Sequence, residues 1–369
     1  MLIRVYNRDL ELLGVVDKIQ CLIWSRRYWT CGNFSLLLPA EKDLIELMKK
    51  GNLIIPDGKN EAAEVRYIDI TRAEDGTEQI EVQGRFISGW VGKRIVKKRI
   101  IATDDPANLI LRIVRENVTE PEDESRKIHQ LTAMGNVEQA ALAEYASEPY
   151  ANALDEIEVI SGAGEVGFFV HTDAAAGTNE FRVYRGRDLS AGNEQGNNPC
   201  IFSRENDNVI SQHYTESSED RRNVAYVVSD DEDVVTTLMV GSASGLDRDE
   251  LYVEAGDIRR TYIDDAGEEI TIGEAEYLDL LVQRGRQELS EYIDVIEFDS
   301  RINPNVNLIY REDFDVGDIV TCKDKKWGLE IDARITEVTE TYRPGRYDVS
   351  VVFGEPSPTL ADKLKRMER

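Results

Sequence analysis

Short apolar runs, closed by turn-forming residues or charged clusters, recur from one end of the chain to the other. A half-buried strand needs alternating apolar residues, whereas an amphipathic helix needs them three and four apart. Met1–Asn7, Leu12–Val16, Lys18–Trp24, Phe34–Leu38, Leu53–Ile55, Glu64–Thr71 and Gln79–Gln83 read as strands. Glu74-Asp75-Gly76-Thr77 joins the last two as a hairpin, glycine tolerating the φ that a tight turn demands. Pro39 opens one short helix with Leu44, Ile45, Leu47 and Met48, which Gly51 stops. One helix among many short strands predicts a closed or nearly closed antiparallel β-barrel over residues 1–100.

Residues 101–210 follow another rhythm. Asp105-Pro106 is an N-cap followed by a favoured first helical residue, and Leu109, Ile110, Ile113 and Val114 make one apolar face. Residues 119–135 read as a charged loop, Ser147, Pro149, Ala153, Leu154 and Ile157 mark a second helix, and Val166–His171 and Glu180–Tyr184 read as strands. A long polar loop spans residues 190–199. This is a mixed α/β accessory region. From 211 to 355 the strand rhythm returns, with Tyr277, Leu280, Leu281 and Leu289 marking one inserted helix. Asn223–Ser229 and Val234–Val240 form a hairpin with an acidic tip, and Arg343-Pro344-Gly345 turns between the last two strands. Residues 356–369 are a short, basic, helix-prone tail. The expected fold class is mainly β with an α+β insert: two β-barrels and a mixed α/β region. The shared plan of the two β units hints at duplication, although no sequence repeat is visible.

Charge narrows the function. With 44 Lys and Arg against 71 Asp and Glu, the formal net charge is −27. Proteins that grip nucleic-acid phosphates or anionic membranes need clustered cations, so both classes are disfavoured. A hydrophobic content of 41% argues against disorder. The N-terminus lacks the basic start and long apolar stretch of a signal peptide, and no run is long enough to span a membrane. Cys21, Cys31, Cys200 and Cys322 are too scattered for a disulfide framework, which fits a cytosolic, reduced chain. Cys21 and Cys31 could still face each other across a hairpin.

No catalytic constellation emerges. Gly162-Ala163-Gly164-Glu165-Val166-Gly167 matches G-x-G-x-x-G, but a helix precedes it and a strand follows, the reverse of what a dinucleotide site requires. His129, His171 and His213 are far apart, no zinc-ligand spacing occurs, and no G-x-S-x-G elbow marks a nucleophile. No cofactor or metal is therefore expected, although the acidic tip Asp230, Asp231 and Asp233 offers oxygen ligands of the kind Ca²⁺ takes. Lys93, Arg94, Lys97, Lys98 and Arg99 form the sharpest charge reversal. In so acidic a chain, such a stretch suits an internal or intersubunit ion pair. This stretch and the acidic tip are the candidate assembly contacts. Trp24, Trp29, Trp90 and Trp327 suit core or interface anchors.

Ordered motifs suggest a family. Val5-Tyr6-Asn7-Arg8-Asp9-Leu10 leads through Ile23-Trp24-Ser25-Arg26-Arg27-Tyr28 to Gly32-Asn33-Phe34-Ser35-Leu36. Arg185 to Ser190, Ile201-Phe202-Ser203 and Arg222 to Val227 follow, and Val316 to Val320, Ile335 to Val338 and Val352-Phe353-Gly354 close the series. This resembles the tail hub proteins of siphoviruses and prophages, the tail-associated or baseplate hub family.

The resemblance implies a virion structural protein of the tail tip, made in the host bacterial cytoplasm. It implies a homotrimer whose subunits each give two barrel-type tube domains to a pseudo-sixfold ring. The neighbours would be a distal tail protein, a tape-measure protein and a tip or spike. DNA would be only a passing cargo, and no membrane anchor is implied. Many relatives of this kind continue into a cell-wall-cleaving or receptor-binding region, which is not seen before Arg369. The expectation is thus a non-enzymatic hub, with a tail-tip cell-wall hydrolase or carbohydrate-binding module as the alternative. Under the hub reading, an acidic lumen would let DNA slide without sticking.

Overall fold

In a computed structural model of the chain, the described residues are 1–98, 100–147, 150–229, 235–241, 243–263, 269–303 and 306–354. The first β unit comprises β1 (Ile3–Tyr6), β2 (Leu12–Val16), β3 (Cys21–Arg27), β4 (Asn33–Pro39), α1 (Lys42–Leu47), β5 (Leu53–Pro56), β6 (Ala63–Arg72) and β7 (Glu78–Phe86). The lateral order is β3-β4-β7-β6-β5-β1-β2, and every pair is antiparallel. Alternation buries Leu22, Trp24, Leu36, Leu38, Ile80 and Val82 completely. Between Val65 and Tyr67 the β6–β7 register slips. A Cβ on Gly84, opposite Val65, would lie 1.9 Å from the Glu64 carbonyl oxygen, so the irregular crossing requires glycine there.

After a 3₁₀ turn over Ile87–Lys93 come β8 (Ile101–Asp104), α2 (Pro106–Val114), β9 (Thr132–Ala133), β10 (Ala143–Ala146), α3 (Ala153–Gly164), β11 (Gly167–Asp173) and β12 (Thr178–Tyr184). The apolar face of α2 is buried against α3, and both join the hydrophobic core of the first β unit, which runs in sequence from Ile3 to Val183. Asp105 caps α2 as its sequence predicts, accepting from the Ala107 N–H at 2.9 Å. Its Oδ2 accepts from Ala140 and Ala141, and Arg185 Nη2 donates to the capping Oδ1 at 2.8 Å. The expected charged loop contains a 3₁₀ turn, Glu124–Arg126, and the two-residue β9, which is too short to show a period. Glu165, in the left-handed region at φ 51°, ends α3 and passes the chain to β11. The G-x-G-x-x-G pattern is this helix-to-strand turn.

Burial alone would raise the Asp105 carboxyl, yet Arg185 and the three backbone N–H groups hold it below its ordinary 3.8. Its stabilisation is therefore complete above pH 3.8 and lost as pH falls through the depressed folded value. Asp105→Asn should cost about 1–3 kcal/mol at pH 7, and the gap to wild type should close below pH 3.8. Urea titrations of both proteins between neutral and strongly acid pH check this; a pH-independent gap would refute it.

The remaining strands are β13 (Asp188–Leu189), β14 (Ile201–Ser203), β15 (Val209–Ser217), β16 (Val224–Val228), β17 (Val235–Met239), β18 (Glu250–Glu254), β19 (Thr261–Ile263) and β20 (Glu269–Thr271). Then come α4 (Glu274–Ser290), β21 (Val295–Ile302), β22 (Ile319–Asp324), β23 (Leu329–Arg343) and β24 (Arg346–Gly354). β15 pairs with β21 out to Ser217↔Val295, so residues 218–294 are an excursion from the end of one hairpin. That excursion has its own small core of Ala225, Val227, Val253, Leu280 and Leu281. A third core, including Phe202, Phe298, Phe314 and Phe353, lies under β21–β24.

Long β23 pairs with β24, with β22 and with β3 of the first unit. One sheet consequently runs β15-β21-β24-β23-β3-β4-β7-β6-β5-β1-β2. Of the expected closed or nearly closed barrels, closure is corrected. Among the described residues no pairing closes either β unit, and β2 and β15 each have one neighbour and one free edge. Alternation within a strand says which face is buried, not which strand lies alongside. No helix among the described residues is long and apolar enough to cross a membrane.

Candidate functional site

The basic stretch is strapped across the joint between the first β unit and the insert. Val96 and Ile100 point inward and are buried, and the Val96 and Ile100 N–H groups donate to Ala151 O and Ser147 Oγ. Lys93 reaches back to Glu64 at 3.3 Å and lies 5.5 Å from the Trp90 ring centroid. Arg8 and Arg66 meet the same carboxylate at 2.7 and 3.1 Å. Glu64 is buried, which alone would raise its pKa, but the three cations lower it. Arg94 Nε donates to Arg126 O at 2.5 Å, and Arg126 returns a bond to Ile95 O at 2.6 Å. The Lys97 N–H donates to Asn117 Oδ1 at 3.2 Å, and Lys98 pairs with Glu122 at 3.0 Å in solvent. Arg99, Asp230, Asp231 and Asp233 lie outside the described residues, although the hairpin carrying the acidic tip is present, β16 pairing antiparallel with β17.

Sequence reasoning missed a charged cluster at the crossing of the two β units. Arg26 on β3 is almost fully buried. Its Nε donates to Glu61 Oε1 at 2.9 Å, and its Nη1 reaches the Tyr310 hydroxyl at 2.7 Å and the Asp315 carboxylate. Arg311 takes the second Glu61 oxygen at 3.0 Å. Beside them Lys59 pairs with buried Glu340, which also accepts from Tyr342 at 2.6 Å and Tyr347 at 2.8 Å. Burial pulls the Lys59 ammonium below its ordinary range despite Glu340. Loop residues 59–61 and strand β3 thus hold the second unit through opposed charges far apart in sequence. Nothing local in the sequence marks Glu61, whereas Arg26 sits at an inward position of an apolar run, which is an available clue.

Tyr28 pins three regions together. Its hydroxyl donates to Glu165 O at 2.9 Å and accepts from the Gly186 N–H at 3.2 Å. The Arg334 guanidinium lies 5.2 Å from its ring centroid. Gly167 and Gly317 face the ring so closely that a Cβ would lie 2.3 and 2.4 Å from it.

The chemistry of these groups is structural. All four cysteines are free, so Cys21 and Cys31 do not pair. Burial pushes the Cys200 thiol up to about 11 and raises Cys31 and Cys322, which leaves them protonated and weakly nucleophilic at neutral pH. Among the described residues no three His, Cys, Asp or Glu side chains gather as a metal site. His171 meets Asn60 at 3.1 Å, and His213 lies on β15. Trp24 and Trp90 are core residues, Trp29 packs on the third core, and Trp327 is exposed.

Residues 2–355 match the family described as Siphovirus ReqiPepy6 Gp37-like protein. The chain belongs to this family. The fold is shared with a tail protein of Neisseria meningitidis MC58, at TM-score 0.58 and 10% identity over 96% of both chains. It is shared with the 43 kDa tail protein of prophage MuSo2 from Shewanella oneidensis, at TM-score 0.56 and 14% identity over 96% of this chain and 99% of that one. Prophage tail protein gp18 of Listeria monocytogenes EGD-e gives TM-score 0.53 and 9% identity over 100% and 98%. Among curated proteins no sequence matches. The expected siphovirus or prophage tail family is borne out: the family is a siphovirus one, and these three structural relatives are tail proteins. The chain is thus a member of a siphovirus family with the fold of these three tail proteins.

Proposed function

We propose that this tail protein is the hub of the tail tip, three copies closing into a ring that joins the tail tube to the tip. Each copy supplies two tube domains, the β units at either side of the β3–β23 pairing, and residues about 101–210 form the accessory region between them. A distal tail protein, a tape-measure protein and a tip or spike are the neighbours, and DNA or the tape measure passes through the lumen. The protein acts by assembly and catalyses nothing. Lys93 to Arg99 and the Asp230, Asp231 and Asp233 tip face neighbouring subunits or tail proteins.

The observation that carries this reading is the open sheet. At its terminal strand, Leu12 is 57%, Leu13 46% and Val15 48% exposed. Natural edge strands are normally short, charged or covered, because an apolar edge recruits another strand. β2 carries no charged residue, although Leu47 of α1 packs on its Gly14, and an edge left open in a monomer is satisfied in a ring. A surplus of acids suits the lumen, since a negative wall repels the DNA backbone over roughly 8 Å at physiological salt.

Sedimentation of the purified chain should show a species of three times 41.8 kDa. Leu13→Lys places a charge on the free edge, should leave the monomer folded, and should shift that species to monomer by at least about tenfold in association constant. A monomer at all concentrations, or a trimer indifferent to Leu13→Lys, would overturn the reading. A neutral or basic lumen in the assembled ring would overturn the role given to the acids.

A further inference from the structure

Where the first β unit meets the start of α3, a cleft of 210 Å³ is lined by Glu64 and Arg66 of β6, Arg85 of β7, Lys93 of the 3₁₀ turn, and Asn152 and Asp155. Glu64 is buried, and Arg66, Lys93 and, from the turn after β1, Arg8 all pair with it. One carboxylate cannot satisfy all the donors of two guanidiniums and an ammonium. Burial, with Arg8 and Arg66 close by, pulls the Lys93 ammonium below its ordinary range against the opposing pull of Glu64. Arg85 is the register partner of Glu64, so both side chains leave the same face of the sheet. Arg85 is nonetheless exposed and makes no hydrogen bond or ion pair with any described residue.

Two further acids are near: Asp155, and one turn along α3 Glu158, whose Oε1 accepts from the Cys31 N–H at 2.9 Å. Cations therefore outnumber carboxylates here, in a chain whose net charge is −27. The N-terminus of α3 adds to the positive field, because its cap, Asn152, stands in the cleft wall. Gly89 and Gly92 keep the space open. A Cβ on Gly89 would lie 3.9 Å from Arg66 Nη2, and one on Gly92 3.4 Å from Asn152 Oδ1.

We infer that this cleft is a binding site for a small tetrahedral oxyanion of the phosphate type. Its free donors come from three elements, β6, β7 and the 3₁₀ turn, and donors from separate segments can each take a different oxygen of a tetrahedral anion. A planar carboxylate is instead read best by a single guanidinium lying in its plane. An extended polyanion fits less well, because beyond the cleft the net negative charge of the chain repels it. A bound dianion would also relieve the crowding of Arg8, Arg66 and Lys93 on one carboxylate. The inference does not rest on the ring, since every group named belongs to one chain.

The test is calorimetry and phosphorus NMR on the full chain at low ionic strength, with inorganic phosphate as the probe. Phosphate should bind with a dissociation constant below about 1 mM. Arg85→Ala removes a side chain that bonds to nothing in the fold, and should weaken this binding by about tenfold, the loss of one charge-assisted contact. Arg72→Ala, at the far end of β6 where Arg72 pairs with Glu78, should leave it unchanged. Acetate should bind at least about tenfold more weakly than phosphate. Both variants should sediment and melt like the parent, so a failed hub reading leaves this test intact. The inference is overturned if phosphate does not bind up to about 10 mM, if Arg85→Ala binds it unchanged, or if Arg72→Ala weakens it as much. Equal binding of acetate would overturn it as well. So would a loss of self-association in Arg85→Ala without phosphate, which would mark a protein interface.

Discussion

Glu61→Ala is expected to destabilise the folded protein by about 3–5 kcal/mol, the penalty for breaking a buried ion pair from one side. Both oxygens of Glu61 are taken, one by Arg26 and one by Arg311, and the carboxylate is nearly sealed from water. Removing it strands two guanidinium groups where hydration cannot replace it. Arg26 keeps Asp315 and Tyr310, which sets the loss nearer the lower end. Glu61→Gln keeps an oxygen acceptor but no charge and should fall between. The measurement is urea unfolding, reading the midpoint at unchanged slope. Added salt should change the gap little, since buried pairs are weakly screened. A loss under about 1 kcal/mol, the range of surface pairs, would refute the junction as a tie between the β units.

That prediction also shows how unevenly the structure was legible. Elements with a period and a cap were readable: the Asp105-Pro106 start of α2, the Glu74–Thr77 hairpin and the inserted helix α4 all occur where the spacing puts them. Strand ends were less legible than strand faces, because apolar alternation fixes a face better than an end. What stayed hidden was set by distance along the chain. β3 meets β23 more than 300 residues away, and Arg26 meets Glu61 and Asp315, which come from two separate segments. No local rule encodes these meetings. The basic stretch lay between the two cases. Its charge asked for acidic partners, and Glu64 and Glu122 supply them within the same chain. The acid surplus reads differently too: buried Glu61, Glu64, Asp105, Asp318 and Glu340 are each matched by a cation, so these five do not add to the excess.

The second large effect is expected at Gly186, where the insert hands the chain to the second β unit. A Cβ there would lie 1.7 Å from the Gly317 carbonyl oxygen and 2.1 Å from its carbon. Both are backbone atoms and cannot rotate away. Gly317 cannot yield either, because its φ of +97° and the Tyr28 ring against its own Cα fix its position. Arg334 donates to the Gly317 oxygen at 2.7 Å, and the Gly186 N–H donates to the Tyr28 hydroxyl, so a shift of either segment breaks bonds that hold three regions together. Gly186→Ala should therefore cost about 3 kcal/mol, the upper end of overpacking for one methyl group. Gly192→Ala is the control: nothing lies within 4 Å of its added Cβ, and its backbone angle is not in the left-handed region. That variant should be neutral or up to about 1 kcal/mol more stable, through a stiffer unfolded chain. Paired urea melts of the two variants separate close backbone approach from a general intolerance of alanine. Equal effects at the two sites would show that the 186–317 approach places no constraint on the fold.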